Sequence, residues 1–469
     1  VGRRESVPAI LGSKEKPMPL FIVALAVALL LVLMTRFKLN GFVSLLVVSV
    51  LVASWGAATG MLTLEDKPAT IADIPKIIGS GIGGQLEETL AVIGLGAMIG
   101  RILGDAGAAQ RIALRVVDVL GEKRVQWAMV ITSMLIGVTM FYEAAFVIVV
   151  PIAFTLVRAT RTNLLWVGLP MSISLSTMHS FLPPHPGPTA AAGIYEASPG
   201  LALLYGLFIA VPAGALVAML WPRLAFVKKM NPSIPQGMIS DKQFEDHEMP
   251  SMGRSLLVAL LPVIMIAGAE IFIMVGPEGT LMKVVTFVGS PMVALLITLL
   301  VAIVVFGPMS GRPLAEVATS MSESARAMAM IIMVIAAGGA FKEVLVSTGI
   351  AQYIADMTSG WPVHPIILVW VTAVILRVAL GSASVAVTTA AGIAAPLVAS
   401  SGVSPELMVL ATACGSIAVS HVNDPGFWMF KEYFNLSVME TIRARTTYTT
   451  VLSVLGLGGV LLLNLVVPA

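Results

Sequence analysis

Apolar runs long enough to cross a bilayer recur almost from end to end of this chain, and no other feature restricts its fold as severely. Runs at about 19–35, 42–62, 77–100, 200–221, 255–275, 284–306, 324–341 and 447–467 each approach the twenty or so residues that a spanning helix needs. Charged residues make up 12% of the sequence, about half the share usual in a soluble domain. One all-α polytopic membrane body is therefore expected. The net charge of +2 comes without a basic block, which argues against nucleic-acid binding. The single Cys414 excludes an internal disulfide and reads as a small hydrophobe. Residues 1–17 form a polar leader, and the run from Met18 lacks a cleavage-site pattern, so it reads as a retained span. The initial Val and Met18-Pro19-Leu20 leave an added leader open.

Between these runs the pattern is less regular, and one long polar stretch, 222–254, reads as a linker that halves the protein. It holds Pro232, Pro235 and Pro250 and nine charges. Laying 96–113 over 338–355 gives seven identities in eighteen at an offset of 242, and the same offset lays His179 on His421 and Pro183 on Pro425. Chance would give roughly one or two identities, so two distant windows sharing one offset predict an internal duplication of the kind secondary transporters use. The expected domains are a first repeat over 18–221, a cytoplasmic linker over 222–254 and a second repeat over 255–469.

Basic residues predict orientation. Arg36 and Lys38, Arg111 to Arg124, Arg158 and Arg161, Arg223 to Lys229, and Lys431, Arg443 and Arg445 mark cytoplasmic segments, whereas 63–76 and 276–283 are not basic-rich. Residues 125–157 then begin and end on one side, too long for one helix and too short for two spans. They read as a re-entrant hairpin with its tip near Phe141-Tyr142-Glu143-Ala144. Residues 365–400 read as a second hairpin on the opposite face, tip near Gly381-Ser382-Ala383-Ser384, giving repeats of inverted topology. The basic leader, placed outside, runs against this assignment.

Segments 164–195 and 405–439 each start as apolar helices and break, at Met178 to Pro188 and at Ser420 to Gly426. Four prolines in six residues cannot continue a helix. Irregular backbone at membrane depth survives only buried in protein or lining a wet cavity, and broken helices point polar ends at solutes. A solute site is expected where the two breaks meet the two hairpin tips.

Several side chains there could carry chemistry. Arg377 suits a carboxylate substrate by its planar fork, or forms a structural ion pair with Glu143 or Asp424. Glu143 is a candidate proton carrier, or else a tip cap or partner of Arg377. His179 and His421 could bond substrate hydroxyls or titrate, or could simply tie down irregular loops. Asn423 and Asp424 could take hydroxyls or a proton, or Asp424 could cap the following half-helix. Ser176, Thr177, Ser382, Ser384, Thr388 and Thr389 supply hydroxyls near the breaks. His185 reads as structural, and His247 and His364 as outside the site. A metal site built from His179, His185, His421 and Asp424 would make a membrane-embedded hydrolase, yet HExxH, GxSxG and paired-carboxylate motifs are missing from the sequence. A passive channel fits less well than an occluded solute site.

The runs His179-Ser180-Phe181-Leu182-Pro183-Pro184-His185-Pro186-Gly187-Pro188, Ala379-Leu380-Gly381-Ser382-Ala383-Ser384-Val385-Ala386, His421-Val422-Asn423-Asp424-Pro425-Gly426-Phe427-Trp428 and Phe430-Lys431-Glu432-Tyr433-Phe434-Asn435-Leu436 resemble the gluconate:proton symporter family, within the ion transporter superfamily. The resemblance runs from about Met18 to the C-terminus. It implies a homodimer with a scaffold part and a transport part of two hairpins and two broken helices, moving in an elevator-like way. Members of the family carry gluconate, related sugar acids, glycerate or D-serine. The tip Phe141-Tyr142-Glu143 is closer to the gluconate permeases than to the D-serine carriers, which tend to have Asp there. Tyr142 stands where Phe is expected, and Ala390-Ala391-Gly392 replaces a more Gly-rich stretch. The expectation is a proton-driven importer of a small hydroxycarboxylate, gluconate first, in the bacterial inner membrane, needing no cofactor and no metal. Related substrates, D-glycerate, another sugar acid or D-serine, are the alternatives. Substrate binding is expected of Arg377, Ser382, Ser384, Thr177, His179, His421 and Asn423, and proton coupling of Glu143 and Asp424.

Overall fold

Proline, glycine and short polar residues set the helix boundaries that hydropathy alone leaves vague. The computed structural model describes residues 19–65, 67–121, 124–138, 140–183, 185–235, 238, 244–277, 279–358 and 361–467. The leader expected over 1–17 and part of the middle of the linker lie outside the described residues. The first half holds α1 (Pro19–Thr35), α2 (Gly41–Ala58), a two-residue antiparallel ribbon of β1 (Thr63–Leu64) and β2 (Lys67–Pro68), α3 (Ile74–Asp105), α4 (Ala108–Leu120), α5 (Val125–Gly137), α6 (Tyr142–Thr160), α7 (Leu164–Phe181), α8 (Pro186–Ile194), α9 (Pro199–Leu220) and the short α10 (Ala225–Lys228). The second holds α11 (Met252–Val275), α12 (Thr280–Gly289), α13 (Pro291–Phe306), α14 (Leu314–Ser347), α15 (Ile350–Thr358), α16 (Pro365–Leu380), α17 (Ala383–Ser401), α18 (Pro405–Ser416), α19 (Pro425–Tyr433), α20 (Val438–Thr441) and α21 (Thr447–Leu463). Among the described residues seven helical stretches are long and apolar enough to cross a membrane, or eight if α3 and α4, bent by 74° at Gly107, count as one span.

This is the expected all-α polytopic membrane architecture, with one correction to the spans. The run 284–306 is not a single helix: α12 stops at Gly289 and α13 restarts at Pro291. A proline has no N–H to give the helix and its ring crowds the preceding turn, so it starts a helix more readily than it continues one. The ten-residue α12 is about 15 Å long, too short to span. It packs beside α11 instead. The expected run 324–341 lies inside α14, whose 34 residues give about 51 Å of helix.

Helices stop and restart at both expected tips and both expected breaks. Residues 138–141 join α5 to α6, and Gly381–Ser382 join α16 to α17. The helix α7 ends at Phe181 and α8 begins at Pro186, while α18 ends at Ser416 and α19 begins at Pro425. The order long helix, short helix, hairpin, broken helix thus occurs in both halves. Gly107 and Gly349, 242 residues apart, both sit in left-handed backbone between the long and short helices. Near α4, linker residues 244–250 are strapped down: the Gln110 side chain exchanges two hydrogen bonds with the Phe244 backbone, and Arg111 donates to the Asp246 carboxylate and the Pro250 carbonyl.

Candidate substrate-binding site

The second break is laced to the second hairpin tip. Gly381 caps α16 with a left-handed φ of 74°, and a Cβ there would lie 2.2 Å from the Asn423 carbonyl oxygen, so only glycine lets the two backbones meet. From the break, His421 Nε2 donates to the Val378 carbonyl at 3.0 Å and Asn423 Nδ2 to the same oxygen at 2.9 Å. These bonds occupy a carbonyl that the end of α16 leaves without an intrahelical partner.

Asp424 is the N-cap of α19, accepting from the Gly426 N–H at 2.9 Å. Its other oxygen takes Arg377 Nη2 at 2.5 Å and the Ser420 hydroxyl, with Arg445 Nη2 at 3.7 Å. Arg377 also donates to the Gly381 carbonyl. All three charged side chains are buried, with exposures of 4–6%. Two guanidiniums thus share one carboxylate, and a buried cluster of this kind holds only when every partner is in place.

Arg445 comes from a π-helical turn, Ile442–Thr446, between α20 and α21. Such turns are uncommon and frequent at functional sites. Its Nε donates to Ser420 Oγ at 2.9 Å, and its Nη1 to Tyr142 Oη at 2.6 Å and Tyr448 Oη at 2.8 Å. The guanidinium lies 4.7 Å over the Tyr142 ring, a cation–π contact. Ser172 on α7 bonds both phenols at 2.9 Å, so residues 142, 172, 445 and 448 form one polar network across the halves.

The first half adds the opposite wall. Glu143 lies in the first turn of α6. His179 lies in the last turn of α7, with its ring edge-on to His185 at 4.7 Å and to Phe141 at 6.2 Å, and its buried Nδ1 makes no hydrogen bond. His185 is structural as expected: its Nε2 donates to the Gly137 carbonyl at 2.7 Å, tying the first break to the end of α5.

These groups line a cavity of about 580 Å³. Of the expected site residues, Arg377, Ser382, Ser384, His179, Glu143 and Asp424 line it. Thr177, His421 and Asn423 do not. Thr177 is fully buried, donates to the Ile173 carbonyl at 2.7 Å and faces Gly214 of α9, while His421 and Asn423 serve the tether to α16. His179 and His421 also differ in setting, one on a helix and one inside a break. Among the described residues Arg377 pairs with Asp424 and not with Glu143. No group of three or more His, Cys, Asp or Glu is placed to hold a metal among the described residues.

The sequence reading missed Arg445. It counted as a cytoplasmic marker beside Arg443, yet Arg443 is exposed and Arg445 buried. The available signal was Tyr142, a phenol in place of the expected Phe, whose hydroxyl meets Arg445. The cavity also takes Gln85 and Thr89 from α3 and Thr449 from α21, positions that looked like ordinary spans.

Residues 18–466 match the family model described as GntP family permease. The chain is 45% identical to the high-affinity gluconate transporter of Escherichia coli K12 and 44% identical to the Gnt-II system L-idonate transporter of that strain, in each case over 96% of this chain and 100% of the relative. It is 42% identical to a gluconate permease of Bacillus subtilis 168 over the same shares.

Proposed function

We propose a function from one premise: this chain belongs to the GntP family of permeases. It is a multi-pass membrane transport protein, and its substrate is a sugar acid, gluconate first. The observation that carries this is the cavity in which Arg377 and Arg445 share the single carboxylate of Asp424. Two guanidiniums against one carboxylate give that cluster a charge of +1, suited to a monocarboxylate. Hydroxyls of Ser176, Ser180, Ser382, Ser384, Ser420 and Thr449 surround it, matching a polyhydroxy chain. A second sugar acid is supported by the L-idonate relative, almost as similar as the gluconate one. D-serine fits less well, because its ammonium would sit beside two guanidiniums.

Transport is coupled to protons through Glu143, which lines the same cavity. Protonating Glu143 removes one negative charge from a cavity that also carries Glu87, so an anion enters most favourably together with a proton. Asp424 is a poorer carrier, since its oxygens already serve two arginines, Ser420 and the α19 cap. The recurring element order supports two inverted repeats, with 222–254 and 431–445 facing the cytoplasm. The family resemblance implies a homodimer, an elevator-like motion and residence in the bacterial inner membrane.

The test is uptake into proteoliposomes of labelled gluconate, L-idonate, D-glycerate and D-serine, with and without an inward proton gradient. Gradient-stimulated gluconate uptake is expected, and its absence alongside stimulated D-serine uptake would overturn the substrate class. Glu143→Gln should retain gluconate counterflow and lose accumulation driven by pH; persistent pH-driven accumulation would place the proton elsewhere.

A further inference from the structure

Two guanidiniums face one cavity, and they are not equivalent. Arg377 is spent on structure. Its Nη1 is bonded to the Gly381 carbonyl that ends α16, its Nη2 is 2.5 Å from Asp424, and its Nε is buried without a partner. A ligand that drew Arg377 away would strip the tip of its hydrogen bond and Asp424 of its closest counter-ion.

Arg445 is arranged differently. Nε and Nη1 are held by Ser420, Tyr142 and Tyr448, and the ring of Tyr142 lies under the guanidinium plane, so its position is fixed without Nη2. Nη2 makes no hydrogen bond to protein, and its nearest anion is Asp424 at 3.7 Å, beyond bonding distance. The space around it is kept by Gly426: a Cβ there would lie 2.5 Å from Nη2. A rigidly held nitrogen with hydrogens to give, on a buried arginine that lines the cavity, is an anion-binding group awaiting an acceptor.

We infer that Arg445 Nη2, and not Arg377, takes the carboxylate of the substrate, with Tyr142 and Tyr448 as the positioning residues that aim it. This rests on the sugar-acid reading above and deepens it. It assigns the anionic end of the substrate to the wall where α6, α19 and the π-helical turn meet. The polyol chain then extends past Ser176 and Ser180 towards the tip of the second hairpin. It also gives Tyr142 a role that phenylalanine cannot fill, since the ring alone would stack but leave Nη1 to Tyr448 and to the longer contact with Ser172 at 3.4 Å.

The experiment uses the purified full chain in detergent, wild type and three variants: Arg445→Lys, Arg377→Lys and Tyr142→Phe. Calorimetry measures D-gluconate binding, competition with D-glucitol measures an uncharged polyol of the same length, and thermal melting reports folding. Arg445→Lys should bind gluconate roughly tenfold or more weakly, because a lysine cannot keep the phenol bonds and still present a second nitrogen. Its preference for gluconate over glucitol should shrink by a similar factor. Tyr142→Phe should lose about threefold to tenfold on gluconate alone, with melting close to wild type. Arg377→Lys should lower the melting temperature while the surviving protein keeps its preference for the acid. Should Arg445→Lys fail to fold, Tyr142→Phe carries the decision, since it removes one hydroxyl only. Unchanged gluconate affinity in folded Arg445→Lys, or in Tyr142→Phe, overturns the assignment and leaves the sugar-acid function standing. A wild-type protein that binds neither gluconate nor L-idonate overturns that function, and this inference with it.

Discussion

The two broken helices use the same backbone device for different chemistry. Each second half-helix restarts on Pro-Gly, at Pro186-Gly187 and at Pro425-Gly426. The first break is four residues long and its described part carries no ionisable side chain beyond His185, which is tied to Gly137. The second is eight residues long and carries Ser420 and Asp424, on which Arg377 and Arg445 converge. The first half answers with Tyr142, Glu143, Ser172 and Ser176. A shared element order therefore supplies the cavity, while its polarity comes from side chains in which the halves differ.

The largest expected effect lies where that difference is greatest. Asp424→Asn keeps the shape and the cap but leaves two buried guanidiniums without an anion, a loss of about 3–5 kcal/mol by comparison with other broken buried pairs. Folded, monodisperse protein should be scarce and its melting temperature much reduced. The matching test in the first break is His185→Ala, which strands the neutral Gly137 carbonyl and removes a ring from beside His179, but leaves no buried charge unpaired, and should cost about 1–3 kcal/mol. Equal stability of the two variants would erase the asymmetry between the breaks.

The paired glycines sharpen the comparison at smaller scale. A Cβ at Gly426 would meet Arg445 Nη2 at 2.5 Å, whereas one at Gly187 would meet the Ser384 Cα at 3.3 Å. Gly426→Ala should therefore displace the guanidinium, with overpacking of about 1–3 kcal/mol read as weaker gluconate binding. At Gly187 a shift of a few tenths of an ångström suffices, so Gly187→Ala should be nearly silent. Calorimetry on both variants checks this, and equal losses would mean that Arg445 moves aside freely.

Much of this organisation is legible in the sequence because it is written in proline and glycine. Pro186 and Pro425 start helices, Pro183 follows closely on the end of another, and Gly381 follows directly on the apolar run of α16, so breaks and tips could be placed without coordinates. Pro291 also starts a helix, but Pro151, Pro170, Pro212 and Pro262 sit inside helices, so a proline in an apolar run does not by itself show that the run is broken. Arg445 was not legible in that way. An arginine beside the end of an apolar run obeys the positive-inside pattern whether it points to water or inward, and only the wide turn Ile442–Thr446 directs it into the protein. Which hydroxyls face the cavity was equally hidden, since α7 is apolar and buried nearly all round and offers no periodicity to orient it.

That last ambiguity yields the smallest prediction. Ser176 and Thr177 are neighbours on α7, and the sequence offers no reason to separate them. In the structure Ser176 lines the cavity with its Oγ 3.4 Å from the Tyr448 hydroxyl. Thr177 is turned away, its hydroxyl bonded to the Ile173 carbonyl one turn back and its side chain against Gly214 of α9. A hydroxyl bonded to its own helix contributes little, because that carbonyl already has a backbone partner. Thr177→Val keeps the shape and should leave gluconate affinity and melting within about 0.5 kcal/mol of wild type. Ser176→Ala removes a cavity hydroxyl and should weaken binding by about 0.5–1.5 kcal/mol with melting unchanged. The reverse order, a silent Ser176→Ala and a damaging Thr177→Val, would require α7 to be rotated by about a quarter-turn or more relative to the cavity, since adjacent helical residues lie about 100° apart. It would then detach Ser172, and the phenol network that holds Arg445, from the wall where they now stand.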